Sequence, residues 1–492
     1  MSSNLKAKTL SGMIWSFMQR FGTMAISFVS NIVLARLLTP DDYGVIGMLA
    51  IFIAISNTFI DGGFGSALIQ KKEPTKEDYS TIFWWNMFLS IVLYALLYVC
   101  APLIAGFYKL PMLSDVLRVQ GVVLIINALS IIQQNQLRKQ LKFKRLATVT
   151  VISATLSAGI AIVLAWQGWG LWALVAQQIL LSTFTAIILW VLNKWYPSLV
   201  FSKESFKQLF GFGGFILASS LTNTLCNNLQ GLLIGKFFTP TMLGYYTQAF
   251  KLEQVLSTSV SSVVDQVSYP VLANFQDDTH RLKNTYKKIF LAIAFVTTPI
   301  MLTMINIAYP LVIFLYTEKW LASVYYFQIL CFAGIAISLQ GVSYNVVASR
   351  GKSKDLFIWT IIKRGVGIIL VLVGMLIGGL DGLVWGFALS AWQLLMVNMY
   401  LVSKHIGYSL KSQFVDLFPI MSVGACSFII AKLVNYLSVW ELNVNAIISA
   451  FVFILIYYLL SIVLKLESYN DLKNMVVEFF NKKNKTHNYE KN

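Results

Sequence analysis

The sequence predicts an all-α polytopic membrane protein of about fourteen transmembrane helices, two six-helix lobes in parallel repeat plus two C-terminal helices. Composition is the first observation behind this. Of 492 residues, 57% are hydrophobic and 12% charged, against roughly 25% charged in soluble domains, and mean hydropathy is +0.69. Run length is the second, because the apolar stretches reach about 20 residues, enough to cross ~30 Å of hydrocarbon as helices. The third is an internal duplication. Arg36-Leu37-Leu38-Thr39-Pro40, with Gly44 following, returns 200 positions later as Lys236-Phe237-Phe238-Thr239-Pro240 with Gly244.

Helices are preferred to strands because the runs do not alternate, and because lipid demands backbones satisfied within the segment. The first span, about 10–35, follows Lys6 and Lys8 without a small-residue cleavage site, so it reads as a retained helix rather than a signal peptide. The second, 43–69, starts after the first Pro corner and contains Gly62-Gly63-Phe64-Gly65, read as a bent helix end. Spans three to six are 80–106, 115–137, 146–165 and 171–193. The seventh, 206–235, and the eighth, 242–272, flank the second Pro corner. Then come 285–315, 323–348, 356–377 and 382–403, and outside the duplication 413–436 and 443–465. The lobes are therefore 1–200 and 201–410, followed by the last two helices within 411–466 and a polar tail, 467–492, with an interfacial segment at 475–480.

Net charge is +17, and its distribution argues topology, with no nucleic-acid partner. Alternate connections, beginning with the N-terminus, hold 22 Lys and Arg, including Lys71, Lys72, Arg138, Lys139, Arg281 and Arg350. The intervening connections hold five: Arg36, Lys109, Arg118, Lys236 and Lys319. The positive-inside rule then puts both termini in the cytoplasm. Trp166, Trp169 and Trp172 bracket an outer turn, while Trp84, Trp85 and Trp195 sit at inner ends; all read as interfacial anchors. Cys100, Cys226, Cys331 and Cys426 are scattered singly through apolar spans, and the three histidines form no ligand spacing, so neither a disulfide nor a metal site is expected.

The duplication extends past its corners. Arg138 and Lys142 match Arg350 and Lys354 at a spacing of 212, as Gly170-Leu171 matches Gly382-Leu383. Six spans per copy is an even number, so both copies insert with the same orientation, related by an axis along the membrane normal. On the first helix Ser16, Arg20, Thr23, Ser27 and Asn31 share one face, and on the seventh Ser220, Asn223, Asn227 and Gln230 do likewise. Such residues either glue helices together or line a wet cavity. Arg20 favours the cavity, since an intramembrane cation needs a partner or water. Lys251, near mid-depth in the eighth span, suits an anionic group and is poorly placed to pair with Glu253. Lys363 and Arg364 are further binding candidates, close enough to the inner surface to snorkel. Asp61, Glu253 and Asp265 are candidates to bind a coupling proton or sodium ion or to gate, with helix capping an equal reading for Asp61.

Leu34-Ala35-Arg36-Leu37-Leu38-Thr39-Pro40-Asp41-Asp42-Tyr43-Gly44, then Asp61-Gly62-Gly63-Phe64-Gly65-Ser66-Ala67-Leu68-Ile69-Gln70, resembles the opening of bacterial Wzx-type polysaccharide flippases. Tyr269-Pro270-Val271-Leu272 with Asp277-Asp278 is similar to the same family's eighth span and following loop. The nearest subgroup is the WzxC-like lipopolysaccharide and exopolysaccharide exporters of the multidrug/oligosaccharidyl-lipid/polysaccharide exporter superfamily. The resemblance implies a two-lobed transporter in the bacterial inner membrane, working by alternating access without a cofactor. It further implies a polyprenyl-diphosphate-linked oligosaccharide as cargo, with membrane lipids and glycan polymerase or assembly proteins as partners. Arg20 and Lys251 would meet the diphosphate, and Asn31, Asn223 and Asn227 the sugars.

Other functions fit less well. A drug or metabolite antiporter favours acidic cavity residues, whereas a membrane glycan polymerase or ligase needs a large external loop that the sequence lacks. Gly231 to Phe237 superficially resembles a phosphate loop, but it is one residue short and Phe237 replaces the needed hydroxyl.

Overall fold

Prolines, paired glycines and polar caps divide this apolar chain into helices. The computed structural model describes residues 3–437, 442–471 and 473. The helices are α1 (Ser3–Leu37), α2 (Pro40–Asp61), α3 (Phe64–Gln70), α4 (Lys76–Tyr108), α5 (Met112–Gln120), α6 (Val122–Lys139), α7 (Phe143–Trp166) and α8 (Leu171–Asn193). They continue as α9 (Lys203–Phe237), α10 (Pro240–Ala273), α11 (Thr279–Asn306), α12 (Ala308–Tyr316), α13 (Ser323–Ser349), α14 (Ser353–Ile406), α15 (Leu410–Leu437) and α16 (Leu442–Val463). No strand occurs among the described residues. The expected interfacial segment at 475–480 lies outside them.

Among the described residues, eleven stretches are long and apolar enough to cross a membrane. One, Asp355–Ile406, holds two crossings joined where Gly378 and Gly379 leave helical geometry, Gly379 at φ +59°. The more polar α1 and α10, 35 and 34 residues long, complete the fourteen.

Three spans are interrupted. Gly62 and Gly63, at φ +55° and +70°, end α2 and start α3, a left-handed pair that glycine adopts without strain. The fourth span breaks at Gly121 into α5 and α6. The ninth, expected to run continuously to 315, stops at Asn306. Pro310 lacks the N–H that would bond the Asn306 carbonyl, so the chain restarts as α12.

The chain forms two compact units, Met1–Thr247 and Gln248–Asn492. A duplication boundary and a packing boundary are different quantities: the sequence begins to repeat near 200, whereas packing changes near 247. In the first unit α1 packs on α7, α7 on α8, α4 on α6, and α9 on α2 and α3. Its inner core gathers Phe64, Leu68, Ile82, Phe83, Ile132 and Leu209. Trp84, Trp85 and Trp195, expected as interfacial anchors, pack against that cluster, and Trp84 Nε1 donates to the Ser198 carbonyl at 2.9 Å. Trp166 and Trp169 are exposed, as anchors would be. In the second unit α13 is the most buried span, held between α11 and α14. In the first turns of α11, Lys287 bridges Asp416 (3.3 Å) and Glu467 (2.9 Å). Burial and a hydrogen bond to Asp416 hold the Tyr408 phenol well above its usual range.

The two Pro corners touch one another within the first unit. A Cβ built on Gly44 would lie 1.9 Å from the Pro240 carbonyl oxygen, and one on Gly244 would lie 1.9 Å from that of Pro40. The contact is reciprocal, so a local two-fold relates the corners. Asp41 and Thr241, equivalent in the repeat, sit across it, and the Thr241 hydroxyl donates to Asp41 Oδ1 at 2.5 Å. Thr39 and Thr239 each cap the following helix, accepting from Asp42 N (3.4 Å) and Met242 N (3.3 Å). Only the first corner has the reciprocal acid, with Thr39 N donating to Asp42 Oδ2 at 2.9 Å.

In a chain freed of natural cysteines, Asp41→Cys with Thr241→Cys is expected to form a disulfide on mild oxidation of membranes, because such a bond requires closely apposed backbones. A reductant-sensitive gel shift would report it; no cross-link would contradict the corner-to-corner contact.

Candidate functional site

The polar face of α1 is the first element of the site. α1 turns Gly12 and Gly22 toward Phe143 and Val151 of α7, and a Cβ at these glycines would lie 2.9 Å and 3.4 Å from those side chains. Lys144 lies 5.3 Å from the Trp15 ring, and Ser30 accepts from Gln177 of α8 at 3.4 Å. The face bearing Ser16, Arg20, Thr23, Ser27 and Asn31 is therefore not the packing face. Arg20 and Ser27 are exposed, and Ser16, Thr23 and Asn31 are half-buried. Thr23 donates to carbonyls of its own helix, Gln19 O at 2.8 Å and Arg20 O at 3.1 Å. Glue would seal these side chains in interhelical bonds. The structure leaves them open.

The matching stripe on α9 is partly open. Asn223 and Asn227 are exposed, Ser220 is half-buried and Gln230 buried. The neighbouring face makes the dry contact with α2, where Thr224 and Thr58 hydroxyls share a hydrogen bond of 3.0 Å. A Cβ on Gly63 would stand 2.4 Å from the Gly213 carbonyl. Glycine is thus required where α9 crosses the bend between α2 and α3.

On α10, Lys251 is exposed and Glu253 buried, so the two point apart as the spacing predicts. The Asp265 side chain lies outside the described residues. Asp61 is exposed at the last residue of α2. The next helix, α3, has no side-chain cap, so the capping reading of Asp61 does not hold.

Lys363 and Arg364 separate. Arg364 is half-buried, whereas Lys363 is 6% exposed and its Nζ donates to Asn398 Oδ1 at 2.8 Å, Asn398 being 3% exposed. Lys363 therefore does not snorkel. It ties the two antiparallel halves of α14 together, a role its position in the sequence could not reveal because Asn398 is 35 residues away.

Sequence reasoning missed the polar column of α6. Asn127 donates to Asn57 Oδ1 at 3.0 Å, Gln136 accepts from Asn193 at 2.7 Å, and Gln120, ahead of the column, donates to Gln178 at 2.7 Å. The run Gln133-Gln134-Asn135-Gln136 was the available signal. These bonds are interhelical glue, as amides supply inside membranes.

A family model described as "Polysaccharide biosynthesis protein" matches residues 33–325, more than half of the chain. The chain is 26% identical to the teichuronic acid biosynthesis protein TuaB of Bacillus subtilis (strain 168), covering 87% of this chain and 89% of that protein. It is 24% identical to the lipopolysaccharide biosynthesis protein WzxC of Escherichia coli (strain K12), over 78% of this chain and 79% of that one. Among solved structures it resembles the lipid II flippase MurJ in an inward closed conformation, with TM-score 0.75 and 15% identity, over 94% of this chain and 99% of that one. That likeness establishes the shared fold.

If Lys363 is a structural tie, Lys363→Ala strands Asn398 Oδ1 and should cost on the order of 1–3 kcal/mol of stability in thermal unfolding of the purified protein. Adding Asn398→Leu should recover part of it, since removing both partners costs less than removing one. No recovery would contradict the role.

Proposed function

The chain belongs to the polysaccharide biosynthesis protein family, and from that premise we propose that it moves a polyprenyl-diphosphate-linked oligosaccharide across a bacterial inner membrane. The termini are cytoplasmic on this reading, as the basic connections require. No bond is made or broken. The protein lowers the cost of carrying a charged, hydrated headgroup through hydrocarbon.

The observation that carries the reading is the open polar face of α1, with Arg20 exposed within a membrane-spanning helix. A diphosphate and its sugars cannot enter hydrocarbon unpaired without a large desolvation penalty. Arg20 supplies a planar fork suited to phosphate oxygens, and Lys251 a compact point charge. Asn31, Asn223 and Asn227 offer both donors and acceptors to sugar hydroxyls. Two conformations, open in turn to either side, complete the cycle, and cargo shifts their balance by binding one better than the other. The relatives' printed names, teichuronic acid biosynthesis and lipopolysaccharide biosynthesis, support glycan cargo. Arg20 and Lys251, each taken by itself, favour an anionic cargo over the organic cations of a drug antiporter.

In proteoliposomes carrying a fluorescent polyprenyl-diphosphate disaccharide, Arg20→Ala and Lys251→Ala are each expected to slow leaflet exchange roughly tenfold, equivalent to ~1.4 kcal/mol. Arg20→Lys should lose less. Wild-type exchange by both alanine variants, at equal protein incorporation, would remove the cationic site.

A further inference from the structure

Glu253 is an intramembrane acid that the transport reading above does not use, and its surroundings are poor for a charge. It is 2% exposed on α10, and among the described residues its Oε1 has no hydrogen-bond partner. Gly334 of α13 lies directly against it. A Cβ at Gly334 would stand 2.5 Å from Glu253 Oε1 and 2.9 Å from Met301 Cε of α11. Cys331, also buried on α13, is within electrostatic reach, and Ser257, one turn along α10, hydrogen-bonds the carboxyl. Among the described residues, the cradle thus offers a thioether, a thiol, a bare glycine and one hydroxyl.

Among the described residues, the membrane parts of α11 and α13 bring no charged side chain to it. The sequence has no charged residue between Lys288 and Glu318, which covers the membrane part of α11, and none between Lys319 and Arg350, which covers α13. On α10 itself, Lys251 faces elsewhere. A carboxylate buried without a cation or a full set of donors is costly, whereas the neutral acid is not. A hard metal cation would need about six oxygen ligands, and this cradle supplies a carboxyl and one hydroxyl. A proton needs one oxygen.

We propose that Glu253 is a proton-binding site: its carboxyl holds a proton in this conformation and releases it to water in a conformation where α10 and α13 separate. Proton release and rebinding then accompany the transport cycle. The proposal builds on the transport reading, and its ligand is the proton rather than sodium.

Infrared difference spectra of the full-length protein in liposomes, recorded between about pH 6 and about pH 9, read the site without any cargo. A protonated-carboxyl band in wild type that is missing in Glu253→Gln is expected. Gly334→Ala, which keeps the carboxyl but crowds it, should shift that band. Identical spectra for wild type and Glu253→Gln, or an unmoved band in Gly334→Ala, would overturn the site. Exchange of the fluorescent polyprenyl-diphosphate disaccharide is then measured under imposed proton or sodium gradients. Wild type should change rate several-fold with the direction of the proton gradient and Glu253→Gln should not respond. A retained response in Glu253→Gln, or a response to sodium alone, would overturn the coupling. If wild type moves no disaccharide while the infrared band behaves as expected, the cargo reading fails and the proton site stands.

Discussion

Every polar group placed inside ~30 Å of hydrocarbon needs a partner, a proton or water, and that constraint sorts the side chains of this protein. Lys363 takes the first course and bonds Asn398. Asn57 with Asn127, and Gln136 with Asn193, do the same. Glu253, shut against Gly334, takes the second on the proposal made above. Arg20, Ser27, Asn223 and Asn227 remain exposed on their helices, on faces adjoining those that make the dry contacts. On the proposed transport reading, this exposed polar surface is the part of the structure best suited to a hydrated, anionic cargo.

The second constraint is steric. The corners at Pro40 and Pro240 approach so closely that neither Gly44 nor Gly244 has room for a methyl group. The duplication is therefore a contact as well as an ancestry: positions 200 apart meet across a local two-fold, and Asp41 faces Thr241. The close approach of α9 to the Gly62-Gly63 bend works in the same way, backbone against backbone. These contacts set where the polar faces of α1 and α9 point without contributing a cargo-binding group of their own.

Much of this was legible in the sequence. Run length gave the spans, the Thr-Pro corners gave two helix starts, and the Gly-Gly pair at 62 gave a bend. What was illegible depended on partners distant along the chain. Nothing local distinguishes a snorkelling Lys363 from one bonded to residue 398. The break after Asn306 follows from Pro310, a signal present but outweighed by the long apolar run around it. For Trp84 and Trp85, periodicity gave no sign of the rings they pack on, Phe83 and Phe206. For the open stripes, spacing named the residues, and only packing could show which neighbouring face was dry.

The central claim is that the side chain at position 20 meets water inside the bilayer. A nitroxide attached at that position in liposomes, relaxed in turn by a water-soluble paramagnetic complex and by oxygen, tests it most directly. The account predicts stronger relaxation by the water-soluble agent at 20 than at the neighbouring Phe17 position, with oxygen dominant at Phe17. Oxygen-dominated relaxation at 20 would show a lipid-facing helix surface and contradict the account.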